Sequence, residues 1–183
     1  MKKYIRLIPT MIFPYAYMIY GLIATATGSV FEALWSEKTA EDVMMGFSFL
    51  LILLYQILVI AGTLYSTAMI TRKEYSAYDA AKTNLVVKAV QIPAYIFHFV
   101  LGFCGLLMSI WGIPFIFFAI IIDLLTIVFS GIYACGCMAK LQKENVLSKG
   151  KAIGAAIGSF VYCVDIVLAI VLVAKCKKES RNK

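Results

Sequence analysis

Three ionisable side chains, His98, Asp123 and Asp165, stand inside long apolar stretches of this sequence, and the amide of Gln56 stands inside another. An ionisable group is costly to keep in an apolar segment, so each marks a functional site by default. Two carboxylates in one apolar layer cannot both be charged cheaply, because desolvation and mutual repulsion oppose it; at least one is expected to be neutral. With a histidine to share the proton, such a cluster supplies what a proton relay or a cation-coupled carrier needs. A protonated carboxyl also serves as interhelical glue, bonded to a hydroxyl, an amide or a carbonyl for about 1 kcal/mol. Both readings stay open at this level.

The elements that must position these residues follow from composition. Of 183 residues, 62% are apolar and 15% charged, where a soluble domain carries about 25% charged residues. A bilayer is the solvent that so much apolar surface prefers. Uncharged runs cover Leu7–Phe31, Val43–Thr71 and, with a single acid in each, Ala89–Ala139 and Ala152–Ala174. A helix needs about 20 residues to cross a bilayer core. Ala89–Met138 is therefore long enough for two crossings, and Trp111-Gly112-Ile113-Pro114 supplies the turn between them. The expectation is an all-α integral membrane bundle of five spans, near 7–27, 44–70, 86–110, 114–138 and 152–174. These form a single transmembrane domain over residues 1–174, followed by a short basic tail, 175–183.

The net charge of +7 lies between the apolar runs and at the ends. That is the pattern of cationic loops against an anionic membrane surface, and it excludes a nucleic-acid-binding face. The positive-inside rule puts the N-terminus in the cytoplasm with Lys2, Lys3 and Arg6. Arg72, Lys73, Lys82 and Lys88 of the second loop join it, as do Lys140, Lys143, Lys149 and Lys151 of the fourth. The first loop, with Glu32, Glu37, Glu41 and Asp42, lies outside, as do the interfacial anchors Trp35 and Trp111. One signal disagrees: five spans put the basic tail from Lys175 onward outside, and a re-entrant last segment would bring it back. The length of the last run, enough to cross, favours five spans. Ala24-Thr25-Ala26 gives the first span the look of a signal-peptide cleavage site, but the reading kept is a retained span.

Helix arithmetic at 1.5 Å per residue puts His98 about 21 Å and Asp123 about 16 Å from Gly112. Asp165 stands about 20 Å beyond Ala152, and Gln56 about 20 Å beyond Val43. All four are thus expected in one central layer, on four helices. Gly154 and Gly158 form a G-x-x-x-G, the small-residue motif of closely packed membrane helices. Ser76 to Asp79 has capping-box spacing and is expected to start a helix running into the third span, which Pro93 would bend. Pro9 and Pro14 are expected to kink the first span or delay its start to about Pro9.

Five cysteines at irregular spacings make no disulfide framework, and Cys135-x-Cys137 alone falls short of a metal site. The chain contains no P-loop, no H-E-x-x-H and no G-x-S-x-G. No catalytic residue, metal or cofactor is therefore expected, and an enzyme is not the reading.

The stretches Ala80-Ala81-Lys82-Thr83-Asn84 and Gln91-Ile92-Pro93-Ala94-Tyr95-Ile96-Phe97-His98-Phe99 carry a resemblance. So do Ile122-Asp123-Leu124-Leu125-Thr126 and Cys163-Val164-Asp165-Ile166. Together they resemble an uncharacterised family of small multi-pass bacterial membrane proteins. The resemblance implies a bacterial cytoplasmic membrane and brings no substrate, reaction or partner.

The leading functional expectation is an accessory or interaction subunit of a membrane complex, with the lipid bilayer and another membrane protein as partners. The alternative is a small proton- or cation-coupled carrier or channel using the Asp123, Asp165, His98 and Gln56 layer. An intramembrane enzyme acting on lipid comes third.

Overall fold

The computed structural model describes residues 2–20, 23, 37–72 and 75–181. The acidic first loop, Trp35 and Ala24-Thr25-Ala26 lie outside the described residues, except for the helical start of the next element. Every regular element among the described residues is a helix: α1 (Lys2–Ile5), α2 (Ile8–Ile12), α3 (Glu37–Ile70), α4 (Ala77–Leu107), α5 (Ile113–Lys143), α6 (Lys149–Gly158) and α7 (Val164–Arg181). Short 3₁₀ turns occupy Phe13–Tyr15 and Ser109–Gly112, and residues 16–20 are again helical. Three stretches are long and apolar enough to cross a membrane, Asp42–Ile70, Ala77–Leu107 and Ser109–Lys143. They suggest a membrane protein.

The prolines act where the backbone can least hold a continuous helix. Pro9 sits in the first turn of α2, and Pro14 lies in the 3₁₀ turn that follows, so the N-terminal segment advances in short pieces. Pro93 lies within an unbroken α4. The Tyr15 hydroxyl donates to the Val90 carbonyl at 2.6 Å, in the turn that Pro93 loosens. Ser76 caps α4: its Oγ accepts from the Asp79 N–H at 3.1 Å and donates to the Asp79 carboxylate at 2.9 Å.

The α4–α5 turn depends on glycine. A Cβ on Gly112 would stand 1.7 Å from the Gly105 carbonyl oxygen, so only glycine lets the two backbones come this close. At the other end of α5, Asn145 takes a left-handed φ of 59°. The Val146 and Asn145 N–H groups bond back to Leu141 and Gln142, a Schellman ending in which asparagine replaces the usual glycine. The same end is fastened to α4 by Glu144, whose carboxylate accepts the Ala77 N–H at 2.9 Å and pairs with Lys140 at 3.0 Å. A carboxylate at a helix N-terminus also complements the helix dipole.

α4 and α5 form the central pair; α3 packs on α5, α7 on α4, and α2 bridges α3 and α4. The main core gathers at the basic end, from Leu7, Ile70, Tyr133, Met138, Leu141 and Leu172.

The segment expected as one span over 152–174 is instead two helices. α6 ends at Gly158, the chain reverses through residues 159–163 with Cys163 at a φ of 65°, and α7 runs back. Two contacts establish the reversal. Leu168 of α7 lies against Gly158 of α6, and the Lys175 amine donates to the Val146 carbonyl at 2.5 Å, three residues before α6 begins. The basic tail therefore returns to the end of the molecule that carries Lys140 and Lys149. Apolar length alone does not distinguish a crossing from a hairpin; the Gly158–Ser159 ending and the left-handed Cys163 decide it.

Candidate functional site

The four residues expected in one central layer separate. His98 and Asp123 come together, with Nδ1 2.5 Å from Oδ1. The other ring nitrogen, Nε2, lies 2.7 Å from the Tyr17 hydroxyl, so both edges of the imidazole are engaged. α4 supplies His98, α5 supplies Asp123, and the helical residues 16–20 supply Tyr17. Phe118 packs edge-on against the Tyr17 ring, centroids 4.7 Å apart, and holds it over the pair.

Asp165 stands elsewhere. In the first turn of α7, it pairs with Lys88 at 2.7 Å, and both side chains are sealed from solvent. The Lys88 amine also donates to Ser130 Oγ at 3.0 Å and to the Ser159 carbonyl at 3.4 Å. The basic loop expected to hold Lys88 ends earlier: α4 begins eleven residues before it and carries it into the core. Two carboxylates sharing one apolar layer would leave one neutral. The structure gives each acid its own base, so the repulsion behind that expectation is removed. Lys88 and His98 are ten residues apart on α4, about 15 Å along the axis. The two pairs thus occupy two levels.

Between those levels α4 carries a stripe: Asn84, Lys88, Gln91, Tyr95 and His98, at intervals of four, three, four and three, all buried. This spacing keeps one face of a helix toward the interior. Gln91 donates to the Thr10 carbonyl at 3.0 Å, and the Thr10 and Thr63 hydroxyls meet at 2.7 Å. The Tyr95 hydroxyl is buried without a hydrogen-bond partner. Tyr162, from the hairpin tip, packs on Tyr95 with centroids 5.2 Å apart. The stripe is legible as a polar heptad pattern. Placing Lys88 in a loop and counting Tyr95 as apolar hides it.

Gln56 joins neither pair. It is half-buried and lines an apolar groove of about 430 Å³ with Tyr17, Tyr20 and Tyr55. The Tyr20 and Ser48 hydroxyls are in contact beside that groove. On the far side of the His98–Asp123 pair is a second pocket, about 480 Å³, between α4 and α5. Of the G-x-x-x-G, Gly158 receives Leu168 of the chain's own hairpin, whereas Gly154 is exposed, and a Cβ added there would meet nothing within 4 Å. Gly131 packs as tightly, with the Phe160 ring of the hairpin tip seated where a Cβ would be. Among the described residues, no three His, Cys, Asp or Glu side chains converge as metal ligands do, and the cysteines are free.

The chain belongs to a family of unknown function, DUF6652, whose model matches residues 8–178. No curated protein and no solved structure matches it.

Proposed function

We propose that this is a multi-pass protein of a bacterial cytoplasmic membrane and that it works as a small proton- or cation-coupled carrier centred on His98 and Asp123. The observation that carries the reading is the hydrogen-bonded Tyr17–His98–Asp123 group, whose His98 and Asp123 lie in two membrane-length helices and which has pockets on both sides. An imidazole bonded at both nitrogens can take a proton on one edge and release it from the other. Further polar groups lie to either side: Ser130 and Lys88 toward the basic end, and Tyr20 with Ser48 beside the apolar groove that Tyr17 also lines.

In this reading the N-terminal segment, α3, α4 and α5 cross the membrane, and α6–α7 is a re-entrant hairpin. Backbone that breaks at membrane depth must have its polar groups satisfied, and the N–H groups of Ser159, Phe160, Val161, Val164 and Asp165 all bond to carbonyls within α6 and the turn. Four crossings put both termini in the cytoplasm, which removes the conflict between the basic tail and the positive-inside rule. Cysteines placed at Lys149 and Lys178 then label from the same side; labelling from opposite sides restores five crossings.

The test is proton flux into liposomes that contain the purified protein and a pH-sensitive dye, driven by a potassium-valinomycin potential. Protein-dependent flux that falls tenfold or more in Asp123→Asn is expected. Flux equal to that of empty liposomes, or unchanged in Asp123→Asn, overturns the reading.

A second reading, an accessory subunit of a membrane complex, is supported by α3. Only 6% of its most apolar window is buried, and Phe47, Phe49 and Leu58 point outward. Crosslinking through α3 in native membranes, followed by mass spectrometry, should find a stoichiometric companion; its absence removes this reading.

A further inference from the structure

The pocket between α4 and α5 has an uneven chemistry. Its walls are Phe99, Phe103, Leu106, Ile120 and Leu124, all strongly exposed on the outer surface of the bundle, so the pocket opens sideways. Its floor is the His98–Asp123 pair. The His98 side chain is sealed while that of Asp123 is 16% exposed, so the carboxylate is the member of the pair that a ligand can reach. The titratable groups facing Asp123 are His98 from α4, Tyr17 from the N-terminal segment, and Tyr95 and Tyr162 beyond it. The only one of these that carries positive charge is His98, and only when protonated.

We propose that this pocket binds a hydrophobic organic cation, taken from the lipid side, in exchange for the proton of the His98–Asp123 pair. The inference rests on the carrier reading and names its substrate class. The apolar walls take the body of the ligand, and the aromatic rings of Phe99, Phe103 and Tyr162 favour a cation over a neutral molecule of the same shape. The carboxylate takes the charge. Before binding, the pair holds one proton between imidazole and carboxylate. A cation seated on Asp123 supplies the positive charge that the imidazolium supplied, so an imidazolium beside it is repelled and its N–H proton leaves. One positive charge enters and one departs, and the apolar interior never holds an unpaired charge. An anion would meet the carboxylate directly and is excluded.

The probe is tetraphenylphosphonium, an aromatic cation with no exchangeable proton, so any proton released comes from the protein. The full chain is placed in nanodiscs of phosphatidylcholine, and equilibrium binding and proton release are measured in weak buffer. Saturable binding is expected, with about one proton released per cation and affinity falling as pH is lowered. Asp123→Asn should weaken binding at least tenfold. Gly102→Leu should block it as well, because a side chain there fills the pocket and its Cβ meets nothing within 4 Å, so the helix keeps its fold. Absence of saturable binding to the unmodified chain overturns the inference. So does equal binding of tetraphenylborate, or binding that both variants leave intact. If the unmodified chain moves protons into liposomes but binds no tetraphenylphosphonium, this inference falls while the carrier reading stands. If it does neither, both fall.

Discussion

The two buried ion pairs differ in what surrounds them. Lys88–Asp165 is closed on every side: both side chains are sealed, and the lysine donates additionally to Ser130 and to the hairpin backbone at Ser159. His98–Asp123 has a pocket against it, a partly exposed carboxylate, and a tyrosine hydroxyl on the far edge of the imidazole. A closed pair with fixed partners fastens the α6–α7 hairpin to α4 and α5. An open pair can exchange a proton or a ligand. Ionisable groups inside the apolar bundle thus divide by access, and residue type alone does not separate architecture from chemistry.

The largest effect should come from leaving one charge of the closed pair alone. Lys88→Met strands Asp165 in an apolar interior and is expected to cost about 3 to 5 kcal/mol in denaturant unfolding from detergent. Lys88→Met combined with Asp165→Leu should recover most of that loss, because two apolar groups leave nothing unpaired. A harmless single change would mean that the hairpin does not depend on the pair.

A smaller loss is expected from Gly131→Ala. Its methyl group would come within 2.6 Å of the Phe160 ring, and displacing the hairpin tip should cost about 1 to 3 kcal/mol by the same measurement. If stability is unchanged, the tip is held by the ion pair alone. The smallest loss is expected from Asp123→Asn. The amide keeps a hydrogen bond to His98 in nearly the same shape, so unfolding should shift by about 1 kcal/mol or less while proton flux collapses. A loss as large as that of Lys88→Met would make the open pair structural too, and would erase the contrast.

Much of the fold can be read from the chain. The apolar runs locate α3, α4 and α5, Gly112-Ile113-Pro114 marks the turn between the last two, and Ser76–Asp79 marks the start of α4. The hairpin is not legible in the same way, because a 23-residue apolar run satisfies a crossing and a hairpin equally. What separates them is tertiary: Phe160 seated on Gly131, Leu168 on Gly158, and Lys175 on the Val146 carbonyl. Of the site, His98, Asp123 and Asp165 stand out as charges in apolar context. Their partners do not, since Lys88 resembles a loop cation and Tyr17 is one of several tyrosines in its segment. Which acid meets which base depends on where α7 returns, and that is set by the reversal at Cys163.

Infrared difference spectroscopy on a pH step tests the division between the two pairs most directly, because a carboxylate shifts its own stretching bands when the base bonded to it gains or loses a proton. The account predicts such a shift in the unmodified protein, its loss in Asp123→Asn and its persistence in Asp165→Asn. A shift that Asp165→Asn removes and Asp123→Asn leaves would contradict it.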